Sequence, residues 1–322
     1  MVLFVCYTNL QLVIASRIIA EKRMSPLEVE VFYISKVNND VTRNTLNDIR
    51  GICRRVTFIY MKYKYPLYFL HIFIHFIRRD YHSIFVASID NILVHFILSR
   101  VSFKNLYTFD DGSANIIPYS IYYQSSAKNN YIKIIRWLFR IQHDMSSIKR
   151  ISQIHYTIYN GFKNIIPNTI SIRLLSHCNG STNNDDSKIE QLSCNVIVGS
   201  VYDELFTPNT NIEKKLDNCW SILKSTGRRS FYLPHPRERN DISVNCIDVV
   251  RSKYIAEREI ANLLKSYKEV YLYGFLSSCQ INLANDRRVI NNVFYSNDLS
   301  PVFRKSIIDS PLVADMNVIV LD

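Results

Sequence analysis

The sequence predicts an α/β protein built as two Rossmann-like domains facing a central cleft. Three observations carry this expectation. Short apolar runs of strand length alternate with helical periods, which implies a mostly parallel sheet wrapped by helices. The alternation stops at a polar, turn-rich stretch and then begins again. The polar residues best suited to chemistry follow apolar runs, at the carboxyl edge where open α/β sheets bind ligands. With 322 residues, 48% of them hydrophobic, the chain can bury two cores.

In chain order, residues 2–7 form an unbroken apolar run, as in a strand buried on both faces. Leu10, Val13, Ile14, Ile18 and Ile19 then follow a helical period over 10–22. Strands are expected at 30–34 and 56–61, and a helix at 66–79 with Pro66 near its start. A strand at 84–87, a helix at 89–101 and a strand at 105–109 complete the first alternation. Residues 132–164 read as helical and basic, with Trp137, Leu138 and Phe139 as the packing face. The segment 176–190 lacks any period and serves as the linker, so the domains are 1–190 and 191–322. The second alternation has strands at 195–198, 231–233, 270–273 and 293–295. Its helices are expected at 212–224, 254–267 and 300–308, with 318–321 extended.

Gly is scarce at 7 residues, and neither G-x-G-x-x-G nor G-x-x-x-x-G-K occurs, which argues against a glycine-rich nucleotide loop. The seven cysteines are scattered and never form C-x-x-C, as in reduced, buried thiols of a cytosolic protein. A zinc site is not expected, since His71 and His75 lack a nearby third ligand. No secretory signal or bilayer-spanning run is visible. The chain therefore reads as cytoplasmic, with peripheral contact at the inner membrane. Residues 1–175 hold 22 Lys+Arg and 10 Asp+Glu, a net of 22 − 10 = +12, whereas 176–322 hold 17 and 18, a net of −1. Such asymmetry attracts polyanions, although a merely soluble surface explains it as well. The segment 60–79 mixes aromatics with Lys62, Lys64, Arg78 and Arg79; it reads as a core helix with a basic rim, or as an interfacial amphipathic segment.

Asp110-Asp111-Gly112 follows the strand at 105–109. A carboxylate there could accept a proton from an attacking hydroxyl if its surroundings raise its pKa; a capped turn is the alternative. His235 lies between Pro234 and Pro236, which hold it extended, and with Arg237 it suits a phosphate. Gly199 and Ser200 close a strand, with the acid Asp203 just beyond. Ser277 and Ser278 follow another strand and open a helix, where hydroxyls and free N–H groups suit an anion. Gly274 and Phe275, at the end of that strand, are placed with the substrate site. Glu257 could bond ribose hydroxyls, but its periodicity places it on a solvated face.

The stretches 4–11, 108–115, 155–158 and 161–165, then Gly199-Ser200 with Asp203 and Pro234-His235-Pro236-Arg237, resemble glycosyltransferase family 52, the lipooligosaccharide sialyltransferase group. The resemblance runs through most of the chain. It implies a GT-B fold, a first domain facing the acceptor and a second binding the donor. It further implies inverting transfer from CMP-sialic acid to a terminal galactose, with no cofactor and no metal. His235 would then contact the CMP phosphate and assist its departure, and Asp203 would match the family's base. Asp111 would match an acid that is the base in a related family and otherwise orients the acceptor. Ser277 and Ser278 would meet the phosphate, and Glu257 the ribose. Expected partners are the nucleotide sugar, a galactose-ended, lipid-linked glycan and an anionic membrane, with a homodimer also considered and nucleic acid not. The alternatives are the same fold acting on another nucleotide sugar such as UDP-glucose, and a non-catalytic basic module that binds membranes or polyanions.

Overall fold

The structure, a computed structural model, describes residues 1–62, 67–124, 130–175, 193–238, 247–308 and 311–321. The chain divides into two compact units, Met1–Leu174 and Leu175–Asp322. The expected linker 176–190 lies outside the described residues, so the division at 174/175 stands beside the expected 190/191.

The first unit runs β1 (Val2–Cys6), α1 (Asn9–Glu21), β2 (Val29–Ser35), α2 (Asp40–Arg50), β3 (Arg55–Tyr60), α3 (Leu67–Phe76), β4 (Asp80–Val86) and α4 (Ile92–Leu98). It continues through β5 (Ser102–Phe109), α5 (Asn130–Leu138), α6 (Met145–Ile151), β6 (Ser152–Thr157) and β7 (Thr169–Ser171). Its seven strands pair in the order β3-β2-β1-β4-β5-β6-β7, each pair parallel. The order reverses direction between β1 and β4, the place where open α/β sheets bind ligands.

The second unit repeats the plan with β8 (Cys194–Val198), α7 (Tyr202–Leu205), α8 (Ile212–Ser225), β9 (Ser230–Leu233), β10 (Asp248–Val249) and α9 (Ala256–Leu263). β11 (Val270–Gly274), α10 (Ser278–Asn282), β12 (Val289–Tyr295), α11 (Pro301–Ile308) and β13 (Asn317–Val320) complete it. Its order is β10-β9-β8-β11-β12-β13, again all parallel and reversing between β8 and β11.

The apolar runs become strands because both faces are covered: β2 and β8 are buried at every position. The helix α2 was not expected. Its inward face is Thr42, Thr45, Leu46 and Ile49, and two threonines thin the apolar period that would signal it. The expected helical run at 132–164 is also corrected, because it breaks at 139–144 and gives way at 152–157 to strand β6. Trp137 and Leu138 are not a packing face. Trp137 is 80% exposed, while Phe139 packs against the core. There its ring stacks on Phe69, with centroids 4.4 Å apart.

Phe69 is fully buried among Ile72, Phe76 and Phe96. Phe69→Ala should therefore cost about 3–5 kcal/mol, read as a lower urea midpoint. Trp137→Ser, on the open face, should stay within about 0.5 kcal/mol of the native protein.

Candidate active site

Every candidate residue but Glu257 sits just past the carboxyl end of a strand or in the turn that follows one. In the first unit the candidates all follow β5. Asp110 and Asp111 share a loop but face different surroundings. Asp110 is fully buried. Its carboxylate accepts from the Ile158 backbone N–H at 2.6 Å, meets His155 Nε2 at 2.9 Å and accepts from the Asn164 amide at 3.3 Å. His155 Nδ1 in turn meets Thr108 Oγ1 at 2.8 Å. This carboxylate ties β5 to β6 and the loop beyond.

Asp111 is partly buried, and its partners are neutral side chains. Gln11 Nε2 and the Tyr122 hydroxyl donate to it, and the Ser88 hydroxyl donates at 3.1 Å. Gln11 is itself buried in the first turn of α1, where its Oε1 accepts the Tyr7 N–H at 2.6 Å and its Nε2 donates to Ser88 Oγ at 2.9 Å. Ser88, past β4, holds a left-handed backbone with φ 30°, an uncommon conformation for a residue with a side chain. Gly112, at φ 135°, turns the chain away from the strand in a conformation reserved for glycine. Burial raises the Asp111 carboxyl above its usual range, and the hydrogen bonds from Tyr122, Gln11 and Ser88 only partly oppose this.

In the second unit the loop after β9 is built around Glu238. Its carboxylate accepts the Tyr232 hydroxyl at 2.6 Å and the His235 backbone N–H at 3.0 Å. Burial, opposed by these bonds, raises its pKa. The His235 ring is half-buried, and its Nδ1 accepts the Arg237 N–H at 3.1 Å. In the neutral ring the proton therefore lies on Nε2, leaving that N–H to donate. Burial lowers the His235 pKa, and the Arg237 charge lowers it further. Gly199, at the tip of β8, is packed tightly under this loop: a Cβ there would lie 2.6 Å from Tyr232 Oη and 2.8 Å from His235 N.

Over residues 28–294 the chain matches the profile of glycosyltransferase family 52. The protein belongs to glycosyltransferase family 52. Among relatives, this glycosyltransferase is similar to the CMP-N-acetylneuraminate:beta-galactoside alpha-2,3-sialyltransferase of Pasteurella multocida, with 30% identity over 290 residues, 88% of this chain and 87% of that protein. It is also similar to the N-acetyllactosaminide alpha-2,3-sialyltransferase of Haemophilus influenzae, with 29% identity over 212 residues, 66% of this chain and 64% of that one. In fold it is similar to the UDP-GlcNAc 2-epimerase of Methanocaldococcus jannaschii, with a TM-score of 0.54 at 9% identity, covering 100% of this chain and 89% of that one.

The remaining candidates of the family 52 enzyme differ in their surroundings. Asp203 lies exposed in the first turn of α7, with Ser200 half-buried before it. Arg237 is exposed and paired with Glu204 at 3.1 Å, while Pro236 is exposed beside it. Ser277 caps α10: its hydroxyl accepts the Gln280 N–H at 3.2 Å and its own N–H reaches Gln280 Oε1 at 3.0 Å. Ser278 is exposed. Gly274 admits the Gln280 side chain, whose Oε1 would lie 2.7 Å from a Cβ. Phe275 is buried between Phe206 and Phe294. Glu257 is corrected: it is not solvated but buried, accepts from Asn282 Nδ2 at 2.7 Å, and has its pKa raised by that burial. Among the described residues no group of His, Cys, Asp or Glu is arranged to hold a metal ion.

Sequence reasoning missed Gln11, Ser88, Tyr122 and Glu238. A lone Gln on an otherwise apolar helical face was the one readable signal.

The two neighbouring aspartates should separate in stability. Asp110→Ala strips a buried network of its acceptor and should cost about 3–5 kcal/mol. For Asp111 the raised pKa means that folding favours its protonated form. Its contribution is full below the unfolded value of about 3.9 and is lost as pH rises through the higher folded value. At neutral pH the buried charge is a cost, so Asp111→Asn should unfold no earlier than the native protein, measured by calorimetry at pH 7.

Proposed function

We propose that this glycosyltransferase moves sialic acid, with inversion, from CMP-sialic acid to the terminal galactose of a surface glycan such as lipooligosaccharide. The observation that carries the reading is the loop after β9. It holds an imidazole with Nδ1 already bonded and Nε2–H ready to donate. The Pasteurella relative, named for this donor and acceptor, supports the same choice.

In this reading the acceptor hydroxyl oxygen bonds to the anomeric carbon of sialic acid as the bond from that carbon to the phosphate oxygen breaks. CMP leaves, and His235 meets its phosphate. The transition state has oxocarbenium character, so the base is needed only as attack completes. Asp111 takes the hydroxyl proton, because its buried carboxyl binds a proton more readily than an exposed one does. A monophosphate asks for less positive charge than a diphosphate, so the reading needs no metal. The +12 of residues 1–175 against −1 of the remainder supports a lipid-linked acceptor met at an anionic membrane surface.

Incubation with CMP-sialic acid and a galactose-ended acceptor should give sialylated product, and UDP-glucose should give none. Turnover with UDP-glucose alone would reject the proposal. His235→Ala should lower kcat by about 10²–10⁴-fold. The rate should climb with pH through a carboxyl titration above the usual Asp range, since only the ionised group accepts a proton, and Asp111→Asn should abolish that limb. If Asp203→Asn abolishes it instead, Asp111 is not the base.

A further inference from the structure

Two short elements of the second unit carry candidate residues, and neither supports itself. α7 is a single turn, Tyr202–Leu205, with no side chain capping its start, and one turn of helix does not persist alone. The loop 234–238 after β9 is held locally by one turn, in which the Glu238 N–H reaches the His235 carbonyl at 2.9 Å. Asp203 stands on the first element and His235 on the second. Whatever holds the two elements therefore decides where both groups lie.

One buried hydroxyl joins them. Tyr232, on β9, is 1% exposed, and the Trp220 ring meets it edge-on with centroids 5.5 Å apart. Its hydroxyl lies 2.6 Å from Glu238 Oε1, 2.7 Å from Oε2 and 3.2 Å from the Tyr202 hydroxyl. A phenol has one proton to give and a carboxylate only accepts, so Tyr232 donates to Glu238 and Tyr202 donates to Tyr232. Glu238 Oε2 also accepts the His235 N–H at 3.0 Å. A directed chain thus runs from Tyr202 through Tyr232 and Glu238 to the His235 backbone. Tyr202 is itself fixed, buried with its ring edge-on to Phe275 at 6.3 Å. A second tie, Arg237 to Glu204 at 3.1 Å, joins the same elements from outside. Both of its partners are exposed, and such pairs hold little.

We propose that Tyr232 is a positioning residue of the transfer reaction: through Glu238 it sets the His235 imidazole, and through Tyr202 it fixes the turn that carries Asp203. Closed off from solvent, the phenol acts through the groups it holds rather than on a substrate. Hydrogen bonds are stronger in such a buried chain than at the surface, and misplacing a reacting group by about 1 Å can cost about 10²-fold in rate. Gly199 fits the same design, because a Cβ there would lie 2.6 Å from Tyr232 Oη and 2.7 Å from Glu238 Oε2. A larger residue would wedge the chain apart. This role rests on the reading of His235 as the group that meets the phosphate, and it adds the residue that keeps the imidazole in place.

The test compares Tyr232→Phe, Tyr202→Phe, their double variant and Glu204→Gln with the native enzyme. Steady-state kinetics with CMP-sialic acid and a soluble galactoside are read beside an NMR titration of ring-labelled histidine, assigned with His235→Ala. Tyr232→Phe should lower kcat about 10²-fold with little change in KM for the donor. Burial and the Arg237 charge hold the native His235 midpoint low against the pull of Glu204. In Tyr232→Phe it should climb toward the ordinary value of about 6.5 as the ring swings into water. Tyr202→Phe should lower kcat less and leave that midpoint in place, since Glu238 still holds the histidine. The double variant should be no slower than Tyr232→Phe, because both changes cut one chain. Glu204→Gln should stay within about twofold of the native rate. A native kcat in Tyr232→Phe, or a lowered kcat with an unmoved His235 midpoint, would overturn the proposal. So would losses that add in the double variant, or a Glu204→Gln enzyme as slow as Tyr232→Phe. Should Tyr232→Phe fail to fold, a native rate in Tyr202→Phe would overturn it equally. Failure of the sialyltransferase reading would appear instead as absent turnover in the native protein, while the histidine midpoint still moves in Tyr232→Phe.

Discussion

A carboxylate drawn out of water at the tip of β5 is the constraint on which the first unit depends. Asp111 is held by neutral donors from elements far apart in the chain: Gln11 on α1, Ser88 past β4 and Tyr122 in the loop beyond Gly112. Only a parallel sheet whose order reverses between β1 and β4 gathers those loops at one edge. The cost of the buried charge is offset by packing elsewhere, and what it secures is a group that binds a proton more firmly than an exposed aspartate.

The same economy of residues recurs with different outcomes. Asp110, one residue earlier, accepts a backbone N–H and two side chains and serves as a structural tie. Glu238 does for the loop after β9 what Asp110 does for β5: it takes the backbone N–H of His235 and a tyrosine hydroxyl. The two prolines narrow the choices of the histidine backbone, and Glu238 selects among them. Partners differ accordingly: Asp110 and Glu238 each accept a backbone N–H that fixes a loop, whereas the Asp111 carboxylate is met by side chains of Gln11, Ser88 and Tyr122.

Much of this was legible in the chain. Strands buried on both faces announce themselves as apolar runs, and the acids and the histidine fall at their ends. The helix α2 escaped because threonines fill half of its inner face, and β6 escaped because it follows α6 without an intervening turn signal. The donors to Asp111 were invisible for another reason. Gln11 and Asp111 are 100 positions apart, and no local pattern encodes a contact that the sheet order creates. Glu257 misled because a charged residue on a helix is normally solvated, whereas this one meets Asn282 in the interior. The outward face of α5 misled in the opposite sense: aromatic and aliphatic residues at helical spacing look like core, and Trp137 turns to solvent instead.

The account rests most directly on the proton affinity of Asp111, which carboxyl carbon NMR on protein labelled at aspartate can follow across pH, with Asp111→Asn used for assignment. The expected result is a midpoint above the ordinary aspartate value of about 3.9 that climbs further in Tyr122→Phe, where a bond favouring the ionised form is lost. A midpoint at or below that ordinary value, unmoved by Tyr122→Phe, would contradict the account.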